Sequence, residues 1–238
     1  MVKKWIQWGL IGLCAGLLVY VIQHQLLTNH SWSTWSLPLT GEIIVLDAGH
    51  GGVDGGAVGK GNVLEKDIAL NISLKLRDYL QQAGALVVMT RETDKDLAKE
   101  ETKRLRHRKT EDLLKRTEII NTSGSDLYIS IHLNAIPSSR WYGAQVFYNP
   151  ALEQNEKLAK FIQSEIRRNL ENTKREAKPI NNIYMVKKAT IPGALVEVGF
   201  LSNPDERELL KSELYQNKVA ASIYQGILRY YAKEPLKE

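Results

Sequence analysis

Ile43–Gly52 reads Ile-Ile-Val-Leu-Asp-Ala-Gly-His-Gly-Gly. Four apolar residues make a short buried strand, and Asp47, His50 and three glycines crowd its C-terminal end. In α/β folds that end is where ligands sit. Glycine lets the backbone turn sharply, so His50 is expected on a tight, exposed turn. A phosphate loop is excluded. Around Gly59-Lys60 the first glycine of that motif is replaced by Asp54 and the terminal Ser/Thr by Gly61. Taken alone, the stretch is equally compatible with a strand-ending turn that carries an incidental histidine.

Working outward, the pattern alternates strand and helix. Ile43–Asp47 reads as a strand, Val63–Ala83 as a helix and Ala85–Thr90 as a strand. Glu111–Asn121 is helical, and Asp126–Leu133 and Ala144–Tyr148 are strands. Leu152–Leu170 is a helix, Ile183–Val186 a weak strand and Ala194–Gly199 a strong one. Helices at Asp205–Lys211 and Leu214–Tyr231 complete the domain. This predicts an α/β fold, a sheet covered by helices.

The 238 residues divide into an N-terminal membrane segment (1–27), a linker (28–41), one catalytic-size domain (42–234) and a short tail (235–238). Trp5–Ile22 holds no formal charge and Gln23–Leu27 extends it, so the run approaches the ~20 residues that span a bilayer. Lys3 and Lys4 precede it, and the positive-inside rule places everything after it outside the cytoplasm. The nearest small-x-small cleavage site, Ser31-Trp32-Ser33, lies well past the apolar run, which favours an uncleaved anchor over a secreted product. The single cysteine, Cys14, permits no intramolecular disulfide, and bulky Leu13 before it argues against a lipoprotein. Without Lys3 and Lys4 the formal charge falls from +5 to +3, too weak a field to imply nucleic acid. The dense mixed charges of 92–115 read as a solvated arm.

The chemistry concentrates in four residues. His132 lies in Asp126–Asn134, where Tyr128, Ser130, His132 and Asn134 form a polar stripe opposite Leu127, Ile129, Ile131 and Leu133. Burying such a stripe costs a few kcal/mol per group unless partners are found. Glu65 falls on the apolar stripe of its helix, with Ala69, Ile72 and Leu76. A capping box from Asn62 to Glu65 explains that glutamate but not the Gly-rich loop before it; a cation explains both. Glu197 is a lone carboxylate in the buried strand Gly193–Phe200. It is either salt-bridged to a basic residue of the arm or a base beside a metal. Two histidines and a glutamate, with a separate glutamate, form the inventory of a mononuclear zinc hydrolase that leaves one position for water. Asp47 is placed to orient an imidazole from behind.

The motifs Asp47-Ala-Gly-His-Gly-Gly52, Glu65 opening a helix, Leu113-x-x-Arg116, Ser130-Ile-His-Leu-Asn-Ala135 and Val196-Glu-Val-Gly-Phe-Leu-Ser-Asn203 resemble the zinc-dependent N-acetylmuramoyl-L-alanine amidases, over about Glu42–Tyr231. The resemblance implies a twisted, mostly parallel sheet flanked by helices. It implies one Zn2+ on His50, Glu65 and His132, with Glu197 as the catalytic carboxylate. The implied reaction is hydrolysis of the amide between N-acetylmuramic acid and L-alanine in peptidoglycan. Arg116 and Asn134 are candidates for orienting substrate, and the sequence does not fix either role. The short anchor and the charged arm look most like the germination-specific subgroup of endospore-forming bacteria. That subgroup strips peptides from muramic acid in the intermembrane space where cortex is built, before a muramic acid deacetylase acts and the muramic δ-lactam forms. Leu133 stands where relatives often carry a smaller residue. A zinc carboxypeptidase of wall peptides and a non-catalytic, membrane-tethered glycan-binding scaffold are the alternatives.

Overall fold

The structure, a computed structural model, describes residues 2–28 and 37–235. Residues 29–36 of the expected linker, including the Ser31–Ser33 cleavage site, and 236–238 of the expected tail lie outside the described residues. The chain divides into two units, Met1–Ser36 and Leu37–Glu238. The first contains helix α1, Val2–Thr28. Trp5, Ile6, Trp8, Leu13, Leu17 and Leu18 of α1 are all exposed, so the helix has apolar residues on every side. Some of its side chains, Leu10 and Ile11 among them, lie outside the described set. Among the described residues no helix is long and apolar enough to cross a membrane.

The second unit runs β1 (Ile43–Ala48), β2 (Val58–Gly59), β3 (Val63–Leu64), α2 (Glu65–Gln82), β4 (Leu86–Met89), α3 (Leu105–Thr122) and β5 (Leu127–Asn134). It continues with β6 (Gln145–Tyr148), α4 (Glu153–Leu170), β7 (Lys178–Pro179), α5 (Tyr184–Lys188), β8 (Gly193–Phe200), α6 (Pro204–Lys211) and α7 (Glu213–Tyr231). Six strands form one sheet in the order β4-β1-β5-β8-β6-β7. β4, β1, β5 and β8 are parallel neighbours, and β6 runs antiparallel to β8. This is the expected α/β sheet.

Alternation along β5 divides the core. Leu127, Ile129, Ile131 and Leu133 join Ile72 and Leu76 of α2, Ile162 of α4 and Ile223 of α7 in the main apolar cluster. On the opposite face Tyr128 packs with Val45, Ile120 of α3 and Met185 of α5. Helices therefore cover both faces, as buried parallel strands require. From β1 the chain moves out to β4 and then returns across β1 to β5. The carboxyl ends of β1 and β5 flank that reversal, where open α/β sheets bind ligands.

Two expectations about elements are corrected. Ile183–Val186, read as a weak strand, lies mostly in the short helix α5. The sheet position beside β6 is taken by β7, through Phe147–Lys178 and Tyr148–Pro179. Met185 and Val186 bury instead as one turn of helix. The charged arm is helical from Leu105, six residues before the expected start. The stretch is mostly exposed, as expected of a solvated arm, but Arg108 pairs with Asp96 and Lys109 reaches Asp54 at 2.7 Å.

Candidate metal centre

His50 stands one residue beyond Gly49, whose N–H donates to the Ile131 carbonyl at 3.0 Å as the ladder between β1 and β5 ends. Its backbone is left-handed, with φ of 59°, a region that non-glycine residues visit rarely and at a cost. Two buried guanidiniums hold it there. Arg91 donates to the carbonyls of Ala48 (2.9 Å), Gly49 (2.8 Å) and Lys66 (2.7 Å). Arg116 donates to those of Ala48 and His50, each at 2.6 Å.

Glu65 is the first residue of α2, not its third, and no side-chain cap occurs at Leu64 or elsewhere at that end. The capping-box reading therefore falls. The turn between β2 and β3 contains Asn62 in a left-handed conformation and sets the entry of α2. The carboxylate of Glu65, 3 % exposed, points between the two histidines. Oε1 lies 2.9 Å from His132 Nδ1 and accepts the Leu133 N–H at 2.9 Å. Oε2 lies 3.1 Å from His50 Nε2 and accepts the Ala57 N–H at 2.7 Å. Potential ligand atoms of His50, Glu65 and His132 all fall within 4.8 Å of one another. Space is tight around them: a Cβ at Gly49 would meet the His132 ring at 2.5 Å, and one at Gly56 would meet Glu65 Oε2 at 2.5 Å. The glycines of the loop are thus required by close approach to the site.

Glu197 pairs in register with His132 across β5 and β8. Its Oε2 is buried with no hydrogen-bond partner among the described residues. No basic residue of the arm meets it, so the salt-bridge alternative does not hold. Burial pushes its carboxyl up to about 7; the nearby histidines oppose this and Glu65 adds to it. Burial works against a charged His50, but hydrogen bonds to Asp54 and Glu65 win and raise it to about 9. His132 is raised for the same reason, by Glu65 against burial. Burial opposes the charge on Glu65, and the two imidazoles hold it well below the usual carboxylate range. The site favours positive charge between its donors. Two imidazoles and one carboxylate converging on one point suit a borderline cation such as zinc, so the residues present fit that ion.

Two assignments from the sequence change. Asp47 does not hydrogen-bond an imidazole. Oδ1 accepts from Thr90 and Arg116, both at 2.8 Å, and Oδ2 from Ser130 at 2.6 Å. The carboxylate behind His50 is Asp54, 2.9 Å from Nδ1. Arg116 is not available to substrate: it is buried and binds Asp47, Asp112 and two carbonyls. Asn134 remains half-buried at the end of β5, with no side-chain hydrogen bond among the described residues. Asp54 and Arg91 were not singled out from sequence; Asp54, four residues after His50, was the one available signal.

The fold and this constellation define an α/β protein in which His50, Glu65 and His132 could hold a metal ion. Residues 44–229 match the Amidase_3 family, N-acetylmuramoyl-L-alanine amidase, and the chain belongs to that family. It is 57% identical over 231 residues to the germination-specific N-acetylmuramoyl-L-alanine amidase of Bacillus subtilis (strain 168), covering 97% of this chain and 96% of the relative. The CwlD amidase from Clostridioides difficile, solved in complex with the GerS lipoprotein, matches with a TM-score of 0.80 at 46% identity. That match covers 82% of this chain and 100% of the other. An N-acetylmuramoyl-L-alanine amidase from Clostridium difficile 630 matches with a TM-score of 0.71 at 30% identity, over 82% of this chain and 98% of that one. The protein is therefore a peptidoglycan amidase, and the carboxypeptidase and scaffold alternatives are set aside.

Proposed function

We propose that this amidase is zinc-dependent and removes peptides from muramic acid on the path to the muramic δ-lactam of spore cortex. The observation that supports the metal is the convergence of His50, Glu65 and His132 beside the unpaired Glu197 Oε2. When bound, zinc supplies a Lewis acid that polarises the amide carbonyl and acidifies water. His50, Glu65 and His132 would hold it, and Asp54 fixes the tautomer of His50 from behind. Glu197 takes the proton of the attacking water and returns it to the departing amine of L-alanine. Its raised carboxyl suits a group that must both accept and give a proton near neutrality. Asn134, at the mouth of β5, keeps its amide free for substrate.

The cortex role rests on the likeness to the germination-specific relative. A muramic acid deacetylase would act on the stripped product. The charge-free run behind Lys3 and Lys4 supports a single-pass anchor with the amidase domain outside the cytoplasm. The deciding experiment is mass spectrometry of peptidoglycan fragments incubated with the chain, zinc-loaded and chelator-treated. Released stem peptides with zinc alone are expected; unchanged release after chelation and verified zinc loss would overturn the metal assignment.

A further inference from the structure

Beyond Glu197 the polar row of the active site continues across the sheet. Glu197 pairs in register with Gln145 of β6, as His132 pairs with Glu197. Residues in register on adjacent strands put their side chains on the same face. Gln145 Nε2 donates to the Glu176 carbonyl at 3.0 Å, which turns Oε1 toward Arg175; Arg175 Nη1 donates to it at 3.1 Å. The Arg175 guanidinium also lies 5.1 Å from the Phe200 ring and 5.4 Å from the Trp141 ring.

These contacts orient Arg175 without a direct ion pair. Arg91 and Arg116, the structural arginines of this molecule, spend their donors on carbonyls and carboxylates. Arg175 spends one donor, on a neutral amide, and has no ion-pair partner among the described residues. The nearby Glu176 is taken by Arg167. Buried Glu206 feels the charge of Arg175 but forms no ion pair with it; its two oxygens accept the N–H groups of Gly143 and Phe200, both at 2.8 Å. Arg175 lines a cleft of about 620 Å³ in which Arg140, Lys174 and Arg175 outnumber the one acidic residue, Glu171, and Trp141 and Tyr142 supply the aromatic wall. Trp141 and Tyr142 are more than half exposed there.

We propose that this cleft binds a carboxylate of the substrate's peptide, with Arg175 as its ligand and Trp141 as the wall against which the peptide lies. The proposal deepens the amidase reading and rests on it. A planar fork with free donors suits a carboxylate, and a stem peptide that is not cross-linked through its C-terminus carries one there. One strand spacing separates Glu197 from Gln145, and a further side-chain length leads to Arg175. The total of roughly 10 Å corresponds to about three residues of extended peptide. Arg175 is thus a binding residue that sets which peptides are accepted, and it takes no part in bond breaking.

The test uses the full zinc-loaded chain and two muramoyl-peptide substrates of at least three residues, one with free and one with amidated carboxylates. For Arg175→Gln we expect KM on the free-acid substrate to rise about tenfold or more, the size of a lost charge-assisted hydrogen bond. The kcat should stay within about twofold, and the amidated substrate should not distinguish variant from wild type. Arg175→Lys should recover part of the loss on the free acid alone, and it carries the same comparison if Arg175→Gln fails to fold. Equal KM changes on both substrates, or none on either, would overturn the site. Wild-type protein that cleaves neither substrate would overturn the amidase reading itself.

Discussion

Glu65 and Glu197 are both buried carboxylates, yet their surroundings assign them opposite tasks. Each oxygen of Glu65 is shared between an imidazole and a backbone N–H, which favours the charged carboxylate and aims it between the two histidines. Glu65→Gln offers one carbonyl oxygen in place of two. Zinc should be lost at limiting metal, and one N–H left without an acceptor should lower stability by about 1–3 kcal/mol. Zinc content and thermal midpoint of the variant check this; full zinc with full activity would exclude ligation. Glu197 has an oxygen with no partner to lose. Glu197→Gln should therefore keep fold and metal while turnover falls ~10²–10⁴-fold, the usual contribution of a general base. A variant that melts early yet turns over normally when folded would remove Glu197 from the mechanism. Asp47 has become a stability residue. Although burial opposes its charge, Arg116 and Ser130 lower its pKa from 3.8 to about 2. A depressed carboxyl stabilises above its unfolded value, and the gain is lost as pH falls from about 4 toward about 2. That linkage is worth about 2 kcal/mol. Asp47→Asn should show less stability at neutral pH and a shallower loss across that window in acid denaturation monitored by circular dichroism. The clustered residues were legible because each breaks a local pattern: a charge on an apolar helix stripe, a polar residue in a buried strand. Asp54 breaks none, since a Gly-rich loop has no period to violate. Arg116 was misplaced because its burial depends on how α3 turns against β1, which a motif does not encode.

At the scale of elements, periodic segments were readable and aperiodic ones were not. The central strands and the long helices other than α3 fall within a few residues of their expected positions. The two-residue strands β2, β3 and β7 were invisible, since pairs of residues carry no alternation. Failure at α5 has the same root, because the four apolar-leaning residues Ile183–Val186 fit strand and helix alike. Helix packing was equally hidden. Gly226 of α7 faces α4 so closely that an added Cβ would stand 2.5 Å from the Ile162 Cα. Two effects then compete in Gly226→Ala. Helix propensity favours alanine by about 1 kcal/mol, whereas backbone overlap forces the helices apart at about 1–3 kcal/mol. The contact is with backbone, which cannot rotate away, so the clash should win. Urea denaturation should give a lower midpoint with an unchanged slope; a stabilised variant would show that α4 and α7 yield freely.

For the molecule as a whole, the proposed anchor has a direct test. Protease added to intact protoplasts of non-sporulating cells that produce the chain should digest the amidase domain when it faces outward. Protection that disappears only on lysis would reverse the topology. The two-arginine clamp behind His50 adds something about time. A ribosome releases its product from the N-terminus onward, and the clamp joins carbonyls at 48–50 to side chains at 91 and 116. His132 and Glu197 emerge later still. The strained loop therefore cannot set while it is being made, and the last chemical group arrives when most of the chain already exists. The order of synthesis alone delays assembly: the loop that carries His50 is made first and waits for its supports, and the cleft is finished only after residue 197 has left the ribosome.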